Sequence, residues 1–73
     1  LSPRPRIAFA IWLLRQAQGL TQKELGRKIH RSRQWISQVE SGWKKPTIES
    51  LRLLARALKV PLSLLLRISE IVR

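Results

Sequence analysis

Between Ser32 and Gly42 the chain reads SRQWISQVESG, and the chemistry open to this stretch lies in its outward side chains. Ile36 and Val39, three apart, form an inward pair, which leaves Arg33, Gln34, Ser37 and Gln38 on the outer face of a helix. That face is polar, long-armed and nearly free of acid. Arginine is the usual partner of guanine O6 and N7, and glutamine of adenine N6 and N7, so such a face suits recognition by hydrogen bonding. Covalent chemistry has no comparable support. Phosphodiester cleavage usually wants clustered carboxylates to hold a metal, and the four glutamates are dispersed, so an enzyme such as a nuclease is rejected. There is no cysteine, and the one histidine, His30, has no partner in sight, so neither a metal nor a cofactor is expected.

Fifteen Lys and Arg against four Glu give a formal net charge of +11, an electrostatic footprint suited to a polyphosphate. Small basic domains also bind RNA or anionic membranes, and charge by itself does not choose among these. The longest apolar run, residues 7–14, falls far short of the ~20 residues that a membrane span needs, and the N-terminus does not resemble a signal peptide. No membrane partner is expected, and the absence of cysteine is compatible with a reducing cytoplasm. The chain begins with Leu1 and contains no methionine, which suggests a trimmed chain, a processed product or a fragment of something longer. Its 73 residues make one domain with a small core, since a chain this short buries only ~60% of the surface its unfolded form exposes. Help from a partner is therefore unsurprising.

The elements that must hold the polar face are legible in local signals. Thr21 precedes Gln22, Lys23 and Glu24, so its hydroxyl can cap a helix while Glu24 reaches back to complete a capping box. Leu25 and Ile29 share the inner face of that helix, and Lys23, Arg27 and Lys28 take the outer one. Ser32 caps the next helix, and Gly42 stops it, because a left-handed residue after the last turn costs glycine nothing. The spacing predicts a helix from Gln22 to about Ile29, a tight turn, and a helix from Arg33 to Ser41.

The run Gly19-Leu20-Thr21-Gln22, Leu25-Gly26, then Trp35-Ile36-Ser37-Gln38-Val39-Glu40-Ser41-Gly42 resembles the lambda-repressor/Cro-like, or XRE, helix-turn-helix family. The similarity extends through Pro46 to Val60 and covers about residues 7–66. It implies an all-α, compact five-helix domain whose third helix enters the major groove of double-stranded DNA. By residue-for-residue resemblance, Arg33, Gln34 and Gln38 occupy the base-reading positions. Trp35 and Ser37 are placed against thymine methyls or backbone, and Gln22, Ser41, Lys44 and Lys45 match backbone contacts, with Trp43 exposed in the same loop. Arg15 and Glu40 correspond to a partly buried ion pair tying the first helix to the third. Gly26 stands where the family uses alanine or glycine so that the third helix can come close. His30 takes the turn position where the family most often has glycine, which implies a positive φ there.

The flanks complete three expected segments. Residues 1–6, LSPRPR, form a basic, extended arm, either a disordered leader or a strand that tracks phosphate or a minor groove. Residues 7–66 form the DNA-binding domain. Its first helix turns Ile7, Ile11 and Leu14 to the core and shows a second apolar face of Phe9, Trp12 and Leu13. Its fourth, capped by Thr47, repeats Ile48, Leu51, Leu54, Ala55 and Leu58 at core spacing and leaves Arg52, Arg56 and Lys59 solvated. Pro61 opens the last helix, and residues 67–73 extend it beyond the family's usual end. Leu64, Leu65, Ile68, Ile71 and Val72, with Phe9, Trp12 and Leu13, are the candidate homodimer surface, the competing expectation being that the tail folds back on the first helix of the same chain. The functional expectation is a repressor-type transcriptional regulator that reads a palindromic operator as a homodimer. The alternative is an antitoxin or coactivator-like module that grips a protein partner through the same apolar residues.

Overall fold

Residues 5–71 are described by a computed structural model, as five helices and no strand. In chain order these are α1 (Arg6–Ala17), α2 (Gln22–Lys28), α3 (Arg33–Ser41), α4 (Ile48–Ala57) and α5 (Leu62–Ile71). Their extents, 29 × 27 × 23 Å, are those of a near-sphere.

The starts of α2 to α5 each have a local cause. The Thr21 hydroxyl accepts the Glu24 N–H at 3.0 Å while the Glu24 carboxylate accepts the Thr21 N–H at 2.8 Å, a complete capping box. These bonds to the charged form, with Arg27 and Lys28 nearby, hold the Glu24 carboxyl below its usual value of 4.5. Ser32 accepts from the Trp35 N–H and Thr47 from the Ser50 N–H, each 3.1 Å away. The Pro61 carbonyl accepts from Leu64 and Leu65, so Pro61 stands at the mouth of α5 where its missing N–H costs nothing. Four described residues turn the chain in the left-handed region, among them Gly19 at φ +69° after α1, His30 at φ +58° between α2 and α3 and Gly42 at φ +87° after α3. Lys59, at φ +61°, does the same before α5, which nothing in the sequence pattern announces.

The core joins Ile11 of α1, Leu25 and Ile29 of α2, Ile36 and Val39 of α3, Leu51, Leu54 and Leu58 of the α4 segment and Leu65 of α5. α1 packs chiefly on α5 and α3, and α2 on α3. Two expectations about this core need correction, at Ile48 and at Leu65. Ile48, expected inward, is the first residue of α4 and is 56% exposed. On α1, as expected, Ile11 is fully buried and Ile7 and Leu14 pack against the core partly buried, with Ala8, Ala10 and Arg15 also inside. Leu65, expected on a dimer surface, is fully buried within this one chain. α5 as a whole packs chiefly on α1, and Ile68 is partly buried against the core.

Candidate nucleic-acid interface

The outer face of α3 is laid down by its inner one. Ile36 and Val39 are sealed in the core, and Glu40, one residue on, is also buried, so rotation of the helix about its axis is fixed. Arg33, Gln34 and Gln38 consequently all stand exposed, and Ser37 is half-buried beside them.

Rotation is further locked by a buried ion pair. Arg15 Nε donates to Glu40 Oε2 at 2.6 Å and Nη2 donates to Oε1 at 2.9 Å, a two-pronged contact between planar groups. The third prong, Nη1, donates to the Leu20 carbonyl at 2.8 Å, so the same guanidinium also ties the loop before α2. Gln22 Nε2 adds a donor to Glu40 Oε1 at 3.2 Å. α1, the α1–α2 loop, α2 and α3 thus meet at one ion pair. The pairing of Arg15 with Glu40 matches expectation; the Leu20 carbonyl does not follow from any side-chain pattern. Gln22, expected at DNA backbone, is half-buried with its amide engaged by Glu40, at the edge of a polar recess also lined by Trp12, Ser37 and Ser41. Ser41 donates its hydroxyl to the Gln38 carbonyl at 3.2 Å.

Trp35 is a half-buried side chain packed against the core, with the Arg31 guanidinium 4.9 Å from its ring centre. Its main duty is therefore packing. Sequence reading passed over Arg31, although its spacing of four from an aromatic is the signal that finds such a stack. Trp43, 88% exposed, and Lys44 and Lys45 extend from the loop after Gly42, and the Lys44 N–H donates back to the Gln38 carbonyl at 3.1 Å. The loop is therefore pinned to the last turn of α3. A Cβ on Gly42 would come within 2.6 Å of the Pro5 ring, so the chain's N-terminal segment is seated at this same end of α3. The rest of the expected arm, residues 1–4, lies outside the described residues. Gly26 is confined in turn: a Cβ there would meet the Arg31 carbonyl at 2.6 Å, so it is the α2–α3 turn, more than α3 itself, that needs the space.

A helix locked at its inner face, with exposed Arg and Gln outward and lysines pinned at its end, is the arrangement that places side chains in a groove of a nucleic acid. A helix-turn-helix family model matches residues 13–65. The chain belongs to the helix-turn-helix family. It is thereby a DNA-binding domain of transcription regulation. No curated protein matches the sequence. Among solved structures, the clp gene regulator ClgR from Corynebacterium glutamicum is similar at 25% identity and TM-score 0.87, over 94% of this chain and 92% of that one. The restriction-modification controller protein C.Esp1396I is similar at 29% identity and TM-score 0.83, over 90% and 86%. The controller protein C.AhdI from Aeromonas hydrophila is similar at 26% identity and TM-score 0.80, over 84% and 92%.

Of the remaining candidates for a surface between copies of the domain, Phe9 and Trp12 are half-buried with ring centres 5.6 Å apart, Leu13 and Leu64 are exposed, and Ile68 is partly covered by the core. Val72 and the side chain of Ile71 lie outside the described residues. Among the described residues no helix is long and apolar enough to cross a membrane, and no group of three or more acidic or histidine side chains is placed to hold a metal.

Proposed function

We propose that the domain binds double-stranded DNA sequence-specifically, with α3 in the major groove, and regulates transcription as a repressor-type homodimer on a palindromic operator at the nucleoid. The observation that carries this is the exposure of Arg33, Gln34 and Gln38 on one face of a helix whose inner face is fixed by core and ion pair. These three side chains are the base readers. Lys44, Lys45 and Trp43 border the DNA backbone at the far end of α3, and Ser37, Ser41 and Gln22 line the recess that a neighbouring phosphate approaches. One recognition helix covers only a few base pairs, and two related by a two-fold axis read successive major grooves ~34 Å apart. Leu13 and Leu64, 38% exposed, with Phe9, Trp12 and Ile68 beside them, supply the self-complementary apolar surface. ClgR is a gene regulator, the two controller proteins belong to restriction-modification systems, and a nucleoprotein complex of C.Esp1396I is among the similar structures, which supports the reading.

Selection of binding sites from a random duplex pool tests it. An enriched palindrome with half-sites about one helical turn apart is expected. Recovery of no common sequence overturns specific reading, and recovery of a single, unpaired half-site by a monomer overturns the dimer.

A further inference from the structure

Lys23 and Arg27 of α2, Arg31 and Ser32 of the turn, and Arg33 of α3 line one open recess of about 530 Å³. Four of these five side chains are cationic and none is acidic. Lys23 and Arg27 lie four apart on the solvent face of α2, where a surface helix usually alternates charge, and Glu24, which caps Thr21 and has Arg27 nearby, does not line the recess. Like charges so gathered repel one another and condense anions. Arg31 is held in place: its guanidinium lies over the Trp35 ring, which restricts its orientation while its N–H edges stay free to donate. The Ser32 hydroxyl oxygen is taken by the Trp35 N–H, which leaves its own proton to donate outward.

We propose that this recess is a phosphodiester-binding site, distinct from the lysine loop at the other end of α3, that grips the DNA backbone at the outer flank of the base pairs read from Arg33. The occupant is DNA because the recess is continuous with the reading face through Arg33, which lines the one and stands on the other. Planar guanidinium forks match phosphate oxygens two at a time, so Arg27 and Arg31 hold adjacent oxygens while Lys23 acts as a point charge. The backbone is thereby clamped at both ends of α3, by this recess at its start and by Lys44 and Lys45 at its finish. The assignment rests on the DNA-reading function proposed above.

The test uses the full chain, a duplex selected from the random pool and a random duplex of equal length. The Lys23→Ala, Arg27→Ala double variant changes two exposed side chains, and a charge-conserving Lys23→Arg, Arg27→Lys variant controls for folding. Removing one cation from a phosphate lowers the slope of log affinity against log salt by about 0.9, so the alanine pair should lower it by about 2 on both duplexes, with the ratio between them unchanged. The charge-conserving variant should keep the wild-type slope. Replacing single flanking phosphates by methylphosphonates should weaken the wild type at one or two positions and leave the alanine variant indifferent there. An unchanged slope in an alanine variant that still prefers the selected duplex overturns the recess and leaves base reading intact. A reduced slope, with a wild type that shows no preference between duplexes, upholds the recess and overturns base reading. Wild-type binding to neither duplex overturns both.

Discussion

Removing either partner of the Arg15–Glu40 pair should be among the most damaging single changes available to this domain. Both side chains are more than nine-tenths buried, and the carboxylate accepts Nε at 2.6 Å, Nη2 at 2.9 Å and the Gln22 amide at 3.2 Å. Glu40→Ala leaves the Arg15 guanidinium buried with the Leu20 carbonyl as its one remaining acceptor, and stranding a buried charge costs about 3–5 kcal/mol. A domain of 73 residues has roughly 4–11 kcal/mol of total stability at about 0.05–0.15 kcal/mol per residue, so this loss is about a third or more of the whole. At about 4–8 °C per kcal/mol the midpoint should fall by at least about 12 °C. The paired Arg15→Met, Glu40→Leu variant strands no charge and should recover most of it, because the pair repays its own desolvation only narrowly. Thermal and urea unfolding followed by far-UV circular dichroism on the two single variants and the double closes a mutant cycle. Single-variant losses below about 1 kcal/mol would place the pair with exposed ion pairs and refute the claim that it fixes α3.

The capping box makes acid sensitivity local. Because the Glu24 carboxyl is held below 4.5, its contribution is complete above that value and is lost as pH falls through the depressed folded value; a carboxyl titration of Glu24 by NMR with a midpoint at or above 4.5 would contradict it. His30→Gly should raise stability by about 0.5–1 kcal/mol, since φ +58° strains a side chain and costs glycine little; a lowered melting midpoint would show that His30 makes a contact worth more than the strain. Leu65→Ala should cost about 2–5 kcal/mol while Ile48→Ser stays within about 0.5 kcal/mol, a contrast set by full burial of one and 56% exposure of the other and read by urea midpoints; equal losses would invert the core assignment.

What could be read from the chain without a structure was what depends on near neighbours. The caps at Thr21, Ser32 and Thr47 and the stop at Gly42 each involve residues within a few positions and stand where residue type dictates, whereas the left-handed turn at His30 is implied by the family's usual glycine there. The Arg15–Glu40 pair spans 25 positions and became legible only by resemblance to a family that carries it. Periodicity marks Ile48 as a core position, yet this first residue of α4 is 56% exposed while Leu62, the first of α5, packs on the core, a difference that spacing does not contain. In α5 the consecutive leucines 64, 65 and 66 give period counting no means of choosing which faces inward; packing against α1 decides for Leu65. The cationic recess joins α2, the turn and α3, so its residues are adjacent in space through a bend that charge counting along the chain does not see.

Base reading by α3 through Arg33, Gln34 and Gln38 is tested most directly by the affinity of wild type and Arg33→Ala for the selected duplex, for every single-base-pair variant of one half-site, and for random DNA at fixed salt. The variant should lose about 1–3 kcal/mol on the selected duplex and far less on random DNA, and its discrimination should collapse at one base pair while the others keep theirs. Equal loss on the selected and random duplexes, with the base-pair profile unchanged, would mean that Arg33 touches only backbone and would contradict the base-reading role.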